Sequence, residues 1–246
     1  MADAAVGDGR MLDVRIWRGR EQGELVPYRV PARANQTVLD VVSWVQRHLA
    51  PDLAYRFACR VGVCGSCAMT VNGRPRWTCR THVGRLAGEG PLVIEPLRNL
   101  PRIRDLVCDL DPFLERWQRA GGRFVATSTR RDPLPRITPD SRSRRAVDAG
   151  IECINCAVCH AACDVVAWRP EYLGPAPLNR AWTLVNDIRH GAREETLDRV
   201  GGDAGCHACH SQMSCSEFCP VGIAPTAAIA GLKRSLLRRL LGRGAP

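Results

Sequence analysis

Nowhere in the 246 residues do eighteen or more apolar residues stand together, so no segment is long and apolar enough to read as a membrane-spanning helix. The opening MADAAVGDGR has no apolar core of a secretory leader, and the chain is therefore expected to be soluble or peripheral to a membrane, in a reducing compartment. Aromatic residues are few, at 5%. Lysine is nearly missing: Lys233 is the only one, so the net charge of +10 rests on arginines spread along the chain. Such a charge can serve nucleic acid or an anionic surface. No basic motif interleaved with aromatics accompanies it, and no nucleic-acid partner is expected. The glycine-rich fingerprint of a dinucleotide-binding fold is also missing.

Cysteine, by contrast, is in excess. The chain has 13, an odd number, many at C-x2-C spacing. In a reducing compartment that pattern argues for metal ligation and against a disulfide framework. The length suits two compact units, each able to bury a core.

Residues 12 to 32 alternate, with Leu12, Val14 and Ile16 on one face and then Val26, Tyr28 and Val30, around the turn RGREQGE. This predicts an antiparallel hairpin. Thr37 caps a helix over TVLDVVSWVQRHL that Pro51 stops. AMTVNGRPRWT reads as two strands around Asn72-Gly73, and PLVIEPL as another strand. RDLVCDLDPFLERW has helical periodicity, TSTRRDPLPRITPDSRSRRAVDAG is a connecting segment, and the remainder reads as all helix. The division expected is a first domain over 1–105, a connecting helix and linker over 106–149, and a helical domain over 150–246.

Three cysteine groups carry the chemistry. Cys59-x4-Cys64-x2-Cys67, followed by Cys79, has plant-type [2Fe–2S] spacing. Gly62 and Gly65 in CRVGVCGSC allow the backbone a close approach to a small cluster. Structural zinc, the rival ligand, more often sits on two C-x2-C or Cys/His pairs. Cys153-x2-Cys156-x2-Cys159-x3-Cys163 is a bacterial ferredoxin run with Asp164 in place of the usual proline. A second run, Cys209, Gln212, Cys215, Cys219, Pro220, carries glutamine where its second thiolate belongs. In two-cluster ferredoxins the last cysteine of each run ligates the other cluster. Cys153, Cys156, Cys159 and Cys219 are thus assigned to a [4Fe–4S] cluster. Cys163, Cys209 and Cys215 remain, three thiolates for three irons, and imply [3Fe–4S].

One C-x4-C-x2-C…C domain followed by CINCAVCHAAC and CHSQMSCSEFCP resembles the iron–sulfur subunit of succinate dehydrogenases and fumarate reductases. The likeness covers nearly the whole chain, including YLGPAPL and APTAAI. It implies an α+β chain, with an N-terminal plant-type [2Fe–2S] ferredoxin domain of β-grasp type followed by an all-α ferredoxin-like domain with two clusters. It also implies partners: an FAD-containing flavoprotein subunit, a membrane anchor subunit and quinone, in a respiratory-chain complex that also belongs to the tricarboxylic acid cycle. The chain would lie on the cytoplasmic face of the inner (plasma) membrane, held by the anchor, and leave dicarboxylate chemistry to the flavoprotein. Rival readings are the iron–sulfur subunit of another flavoprotein complex and a free multi-cluster ferredoxin.

In the related subunits the positions of Trp168 and His210 lie beside the [3Fe–4S] cluster and contribute to quinone binding. An indole or imidazole N–H can donate to a quinone oxygen, and histidine can move a proton. Cys108 reads as a small buried hydrophobe on a helix face. Cys206 forms C-x2-C with Cys209 and is either a neighbour or a ligand of the deficient site. The tail TAAIAGLKRSLLRRLLG puts Ile229, Leu232, Leu236 and Leu240 on one helical face, which can pack on the chain's own core or lie on a membrane.

Overall fold

The computed structural model describes residues 9–86, 90–133 and 135–242. Residues 1–8, which carry most of the leader expectation, lie outside them. One compact unit ends at Leu110 and a second begins at Asp111.

In the first unit, alternation produces the hairpin. β1 (Met11–Gly19) and β2 (Gly23–Pro31) pair antiparallel, from Met11 opposite Pro31 to Gly19 opposite Gly23. At Gly19, with φ +140°, a Cβ would stand 2.3 Å from the Gln22 carbonyl oxygen, so only glycine closes the turn this tightly. α1 (Val38–His48) opens with a complete capping box: Thr37 Oγ1 accepts from the Asp40 N–H, and Asp40 accepts from the Thr37 N–H. β3 (Ala68–Val71) and β4 (Arg74–Trp77) turn at Asn72 and Gly73, both at positive φ, the backbone a two-residue hairpin needs. β5 (Leu92–Glu95) inserts to give the sheet order β2-β1-β5-β3-β4, parallel only between β1 and β5. The apolar face of α1 closes the core over this sheet, with Val38, Val41, Val42 and Val45 packed among Val14, Ile16, Met69 and Ile94.

β6 (Arg102–Arg104) and β7 (Val107–Cys108) form a small separate hairpin. Its turn residue Asp105 is buried and accepts from the Gly19 and Ala54 N–H groups at 2.9 Å each, beside Arg18 Nε at 3.1 Å. The helix expected over RDLVCDLDPFLERW therefore forms only in its second half. α2 (Asp111–Arg119) begins only where Pro112 can occupy a first turn, because a helix running through it from upstream would need the N–H that proline lacks. Cys108 is buried as expected, but on a strand, with its thiol 3.5 Å from the Leu97 carbonyl oxygen.

The second unit is helical. After α2 comes α3 (Arg142–Val147), capped by Ser141 inside the segment read as connection. Then follow α4 (Val158–Ala161), α5 (Asp164–Trp168), α6 (Pro175–Val185), α7 (Arg193–Val200), α8 (Ser214–Glu217) and α9 (Pro225–Leu240). α6 lies at the centre, against α2, α4, α7 and α9. Gly231 of α9 faces the Trp182 ring of α6, and a Cβ there would meet it at 2.7 Å. On α9 the predicted stripe holds for Ile229 and Leu232, which are buried, and Leu236 is half-buried. Leu240, by contrast, is 84% exposed, because the core ends before the last turn. No helix among the described residues is long and apolar enough to cross a membrane.

Candidate metal centres

The first cysteine group is a loop and a turn. Cys59 Sγ accepts the Val63 N–H at 3.3 Å and the Cys64 N–H at 3.4 Å, while Cys64 Sγ lies 3.0 Å from the Ser66 hydroxyl. Backbone donors of Val63, Val61 and Cys64 pull the Cys59 thiol down to about 6, so a thiolate is favoured there before any metal arrives. Cys67 is buried just ahead of β3, and Cys79 is buried in the turn Thr78–Arg80 that follows β4. Thr78 ties the two segments by donating both its N–H and its hydroxyl to the Cys67 carbonyl, at 3.3 and 2.8 Å. Burial first, and then the nearby Cys67, push the Cys79 thiol up to about 11, against the opposing Gly62 N–H. Gly62 sits at φ +76°, where a Cβ would meet Arg80 Cγ at 2.8 Å. Four sulfurs, with backbone donors turned onto those of Cys59, Cys64 and Cys79, are a donor set suited to a small anionic iron–sulfur cluster.

In the second unit the two runs share a backbone. Asn155 and Ala157 lie at φ +59° and +60°, and their counterparts Ser211 and Met213 at +58° and +66°. α4 follows the first pair, α8 follows the second, and the two helices touch. Gln212 thus holds the backbone place that Cys156 holds in the first run.

The sulfurs cross between runs. Burial raises Cys159 well above the ordinary thiol value, and Cys156, Cys153, Cys215 and Cys219 add to the rise. Cys153 is raised by burial and then by Cys219. Cys163 is raised by burial and by Cys215 and Cys209, with the Val165 and Val166 N–H groups opposing. The last cysteine of each run therefore stands near the sulfurs of the other run, and Cys215 also reaches Cys159, so the two groups adjoin.

The group of Cys163, Cys209 and Cys215 lines a small cavity together with His210, Gln212, Tyr172 and Thr226. The Tyr172 hydroxyl bonds to the Cys209 sulfur, Thr226 Oγ1 lies 3.2 Å from Cys215 Sγ, and the Ser211 N–H reaches Cys209 Sγ at 3.5 Å. Burial and the three sulfurs hold the Tyr172 phenol far above its ordinary range, so it stays a neutral donor. Lys233 Nζ donates to the Cys209 carbonyl at 2.8 Å. Tyr172, Thr226 and Lys233 were not among the site residues expected from sequence. Only Lys233 carried a signal, as the single lysine. Cys206 does not line this cavity; it is 0% exposed in the apolar core among Val200, Ala208 and Leu232, and burial pushes its thiol up to about 11. His210 is exposed at the cavity edge, and Trp168 is 69% exposed at the end of α5.

A single zinc ion about 2.3 Å from each sulfur draws its thiolates to within roughly 4 Å of one another. Among the described residues no three His, Cys, Asp or Glu side chains are gathered to hold one metal ion.

Residues 13–115 match the family described as 2Fe-2S iron-sulfur cluster binding domain, and residues 150–223 the 4Fe-4S dicluster domain. The fumarate reductase iron-sulfur subunit of Escherichia coli O6:H1 is 36% identical over 203 residues, 82% of each chain. The succinate dehydrogenase iron-sulfur subunit of Paracoccus denitrificans is 33% identical, covering 83% of this chain and 78% of that one. Among solved structures, a chain of the Mycobacterium smegmatis Sdh1 complex in the apo form superposes with a TM-score of 0.81 at 28% identity, over 93% of this chain and 96% of that chain. With both domain types present and relatives alike over most of their length, the chain belongs to the family of succinate dehydrogenase and fumarate reductase iron–sulfur subunits.

Proposed function

We propose that this chain is the electron-transfer subunit of a succinate:quinone or quinol:fumarate oxidoreductase, working between the FAD of a flavoprotein subunit and a membrane quinone. Its place is at the cytoplasmic face of the membrane, held by an anchor subunit. Cys59, Cys64, Cys67 and Cys79 hold [2Fe–2S]; Cys153, Cys156, Cys159 and Cys219 hold [4Fe–4S]; Cys163, Cys209 and Cys215 hold [3Fe–4S]. When bound, these clusters supply the one-electron redox chemistry that the side chains lack.

The observation that carries the reading is the crossing of Cys163 and Cys219 between two runs of matching backbone, with the two sulfur groups adjoining. The protein's own part is electrostatic. Backbone N–H groups and the Tyr172 and Thr226 hydroxyls bond to the sulfurs, which eases the uptake of negative charge. Buried apolar side chains around the groups exclude water. His210 and Trp168 each present an N–H at the surface for a quinone oxygen, and His210 can also pass a proton. The dicarboxylate reaction belongs to the flavoprotein.

Iron and sulfide analysis of the reconstituted full chain tests this. About nine irons and ten labile sulfides per chain are expected, with a paramagnetic signal in the oxidised protein from the three-iron site. Stoichiometric zinc, or two clusters alone, would overturn it.

A further inference from the structure

Away from the cysteines, α3, α6, α7 and α9 enclose a cavity of about 460 Å³ into which five arginines and one carboxylate, Glu194, project. Arg193 and Arg239 are neutralised: Arg193 pairs with Glu194 at 2.7 Å, and Arg239 with Asp198 at 2.6 Å and Glu194 at 3.4 Å. Among the described residues Arg142, Arg234 and Arg238 have no carboxylate within ion-pair distance, so three guanidinium groups from two helices face one space. The floor is the Trp182 ring, whose N–H is committed to the Ala146 carbonyl at 2.8 Å. Gly231 lets α9 pack directly against this ring, where a Cβ would stand 2.7 Å from it.

The apolar surface beside this cavity is unusual. Leu237, Leu240 and Leu241 are 55%, 84% and 62% exposed. At about 100° per residue, Leu237 and Leu241 border Arg234 and Arg238 along the helix. Leu237 and Leu240 also continue the face that begins at Lys233, whose ammonium bonds the Cys209 carbonyl. The α9 surface therefore carries a row of guanidinium groups, then exposed leucines, on the side that leads to the third cysteine group. A planar guanidinium fork suits phosphate oxygens. Arginines over a cavity, bordered along α9 by exposed leucines, match a phosphodiester headgroup with its acyl chains beside it.

We propose that this cavity binds the phosphate of an anionic phospholipid, so that the chain contacts the bilayer through α9 itself, in addition to any anchor subunit. The proposal rests on the membrane placement given above, but it is read out by lipid binding alone. Its failure would leave iron content and electron transfer untouched.

The test uses the full chain with its clusters assembled, in flotation with phosphatidylcholine vesicles with and without phosphatidylglycerol. Association is expected only with the anionic vesicles, weakening as salt rises. Arg234→Gln with Arg238→Gln should lower it about thirtyfold, at roughly fivefold per arginine near a charged surface. Arg142→Gln, on a different helix, should lower it about fivefold if the cavity holds the headgroup. Leu237→Ser with Leu241→Ser should weaken it without changing its salt dependence. The control Arg15→Gln with Arg47→Gln removes the same charge from the first unit and should leave binding intact. All variants are to keep the wild-type visible spectrum, so that misfolding is recognised. Equal binding to neutral vesicles, an equal loss in the control, or no loss on Arg142→Gln would overturn the proposal. Calorimetry that finds inorganic phosphate bound by a chain that does not float would assign the cavity to free phosphate and overturn the lipid.

Discussion

On the proposed ligand set, Gln212 decides what the last cluster is. Its backbone is that of Cys156, with left-handed residues on either side in both runs, so the loop is already shaped for a thiolate and only the side chain is changed. Cys206, the other candidate for the fourth corner, is withdrawn into the apolar core. Gln212→Cys should therefore convert the site to [4Fe–4S]. The paramagnetic signal of the oxidised protein should vanish, and the potential should fall by roughly a hundred millivolts or more, since cluster type and net charge are main determinants within a range of more than about a volt. Persistence of the signal with four irons unobtainable would mean that something besides Gln212 keeps the corner closed. At the same scale, His190 is buried, with Nδ1 accepting from the Val125 N–H at 3.1 Å and Nε2 3.1 Å from Thr196 Oγ1. Burial lowers its pKa, Arg180 opposing protonation and Asp187 and Glu195 favouring it. A histidine less basic folded than unfolded costs stability as pH falls through its ordinary value near 6.5, and nothing above it. Thermal unfolding between about pH 7.5 and about 5.5 should show that loss, and His190→Asn, which can still accept from Val125 but cannot charge, should flatten the slope. An unchanged slope in the variant would sink the assignment.

The element that matters most is the cysteine run followed by a short helix, used twice. Because the last cysteine of each run stands near the sulfurs of the other, the proposed assignment has Cys219→Ser, although it lies in the second run, remove the cluster held by the first. About four irons should be lost while the three-iron signal stays. Loss of that signal instead would show that the runs close on themselves. Much of the secondary structure was legible in short-range chemistry: the hairpins in alternation and Asn72-Gly73, α1 in its capping box. The start of α2 was set too early because periodicity does not reveal that Asp105 collects backbone donors from Gly19 and Ala54 and turns the residues on either side of it into a hairpin. α3 was missed because six residues in an Arg- and Ser-rich segment carry too little pattern to separate from a linker.

At the scale of the whole molecule, the proposed function has the cysteine groups act in series, so loss of the first group and loss of the quinone contacts should have distinct signatures. Cys64→Ser should stop succinate from reducing the remaining clusters in the assembled complex. His210→Ala or Trp168→Ala should leave that reduction intact and lower quinone turnover about tenfold or more, the worth of one hydrogen bond to a charged acceptor. Normal quinone turnover in both surface variants would remove them from the site. Sequence alone determined the number of cysteine groups, their spacing and the deficient position, because ligand spacing along a loop is a local property. It also implied the family, because three such groups in this order are rare in combination. Tertiary structure decided what depends on groups far apart in the chain. It placed the Tyr172 hydroxyl on the Cys209 sulfur and Lys233 on the Cys209 carbonyl, drew Cys206 into the core, and left the last leucines of α9 beside unpaired arginines. Apart from Lys233 being the single lysine, these have no sequence signature, since a hydrogen bond or a buried thiol depends on which helices meet, and that is set by packing around α6.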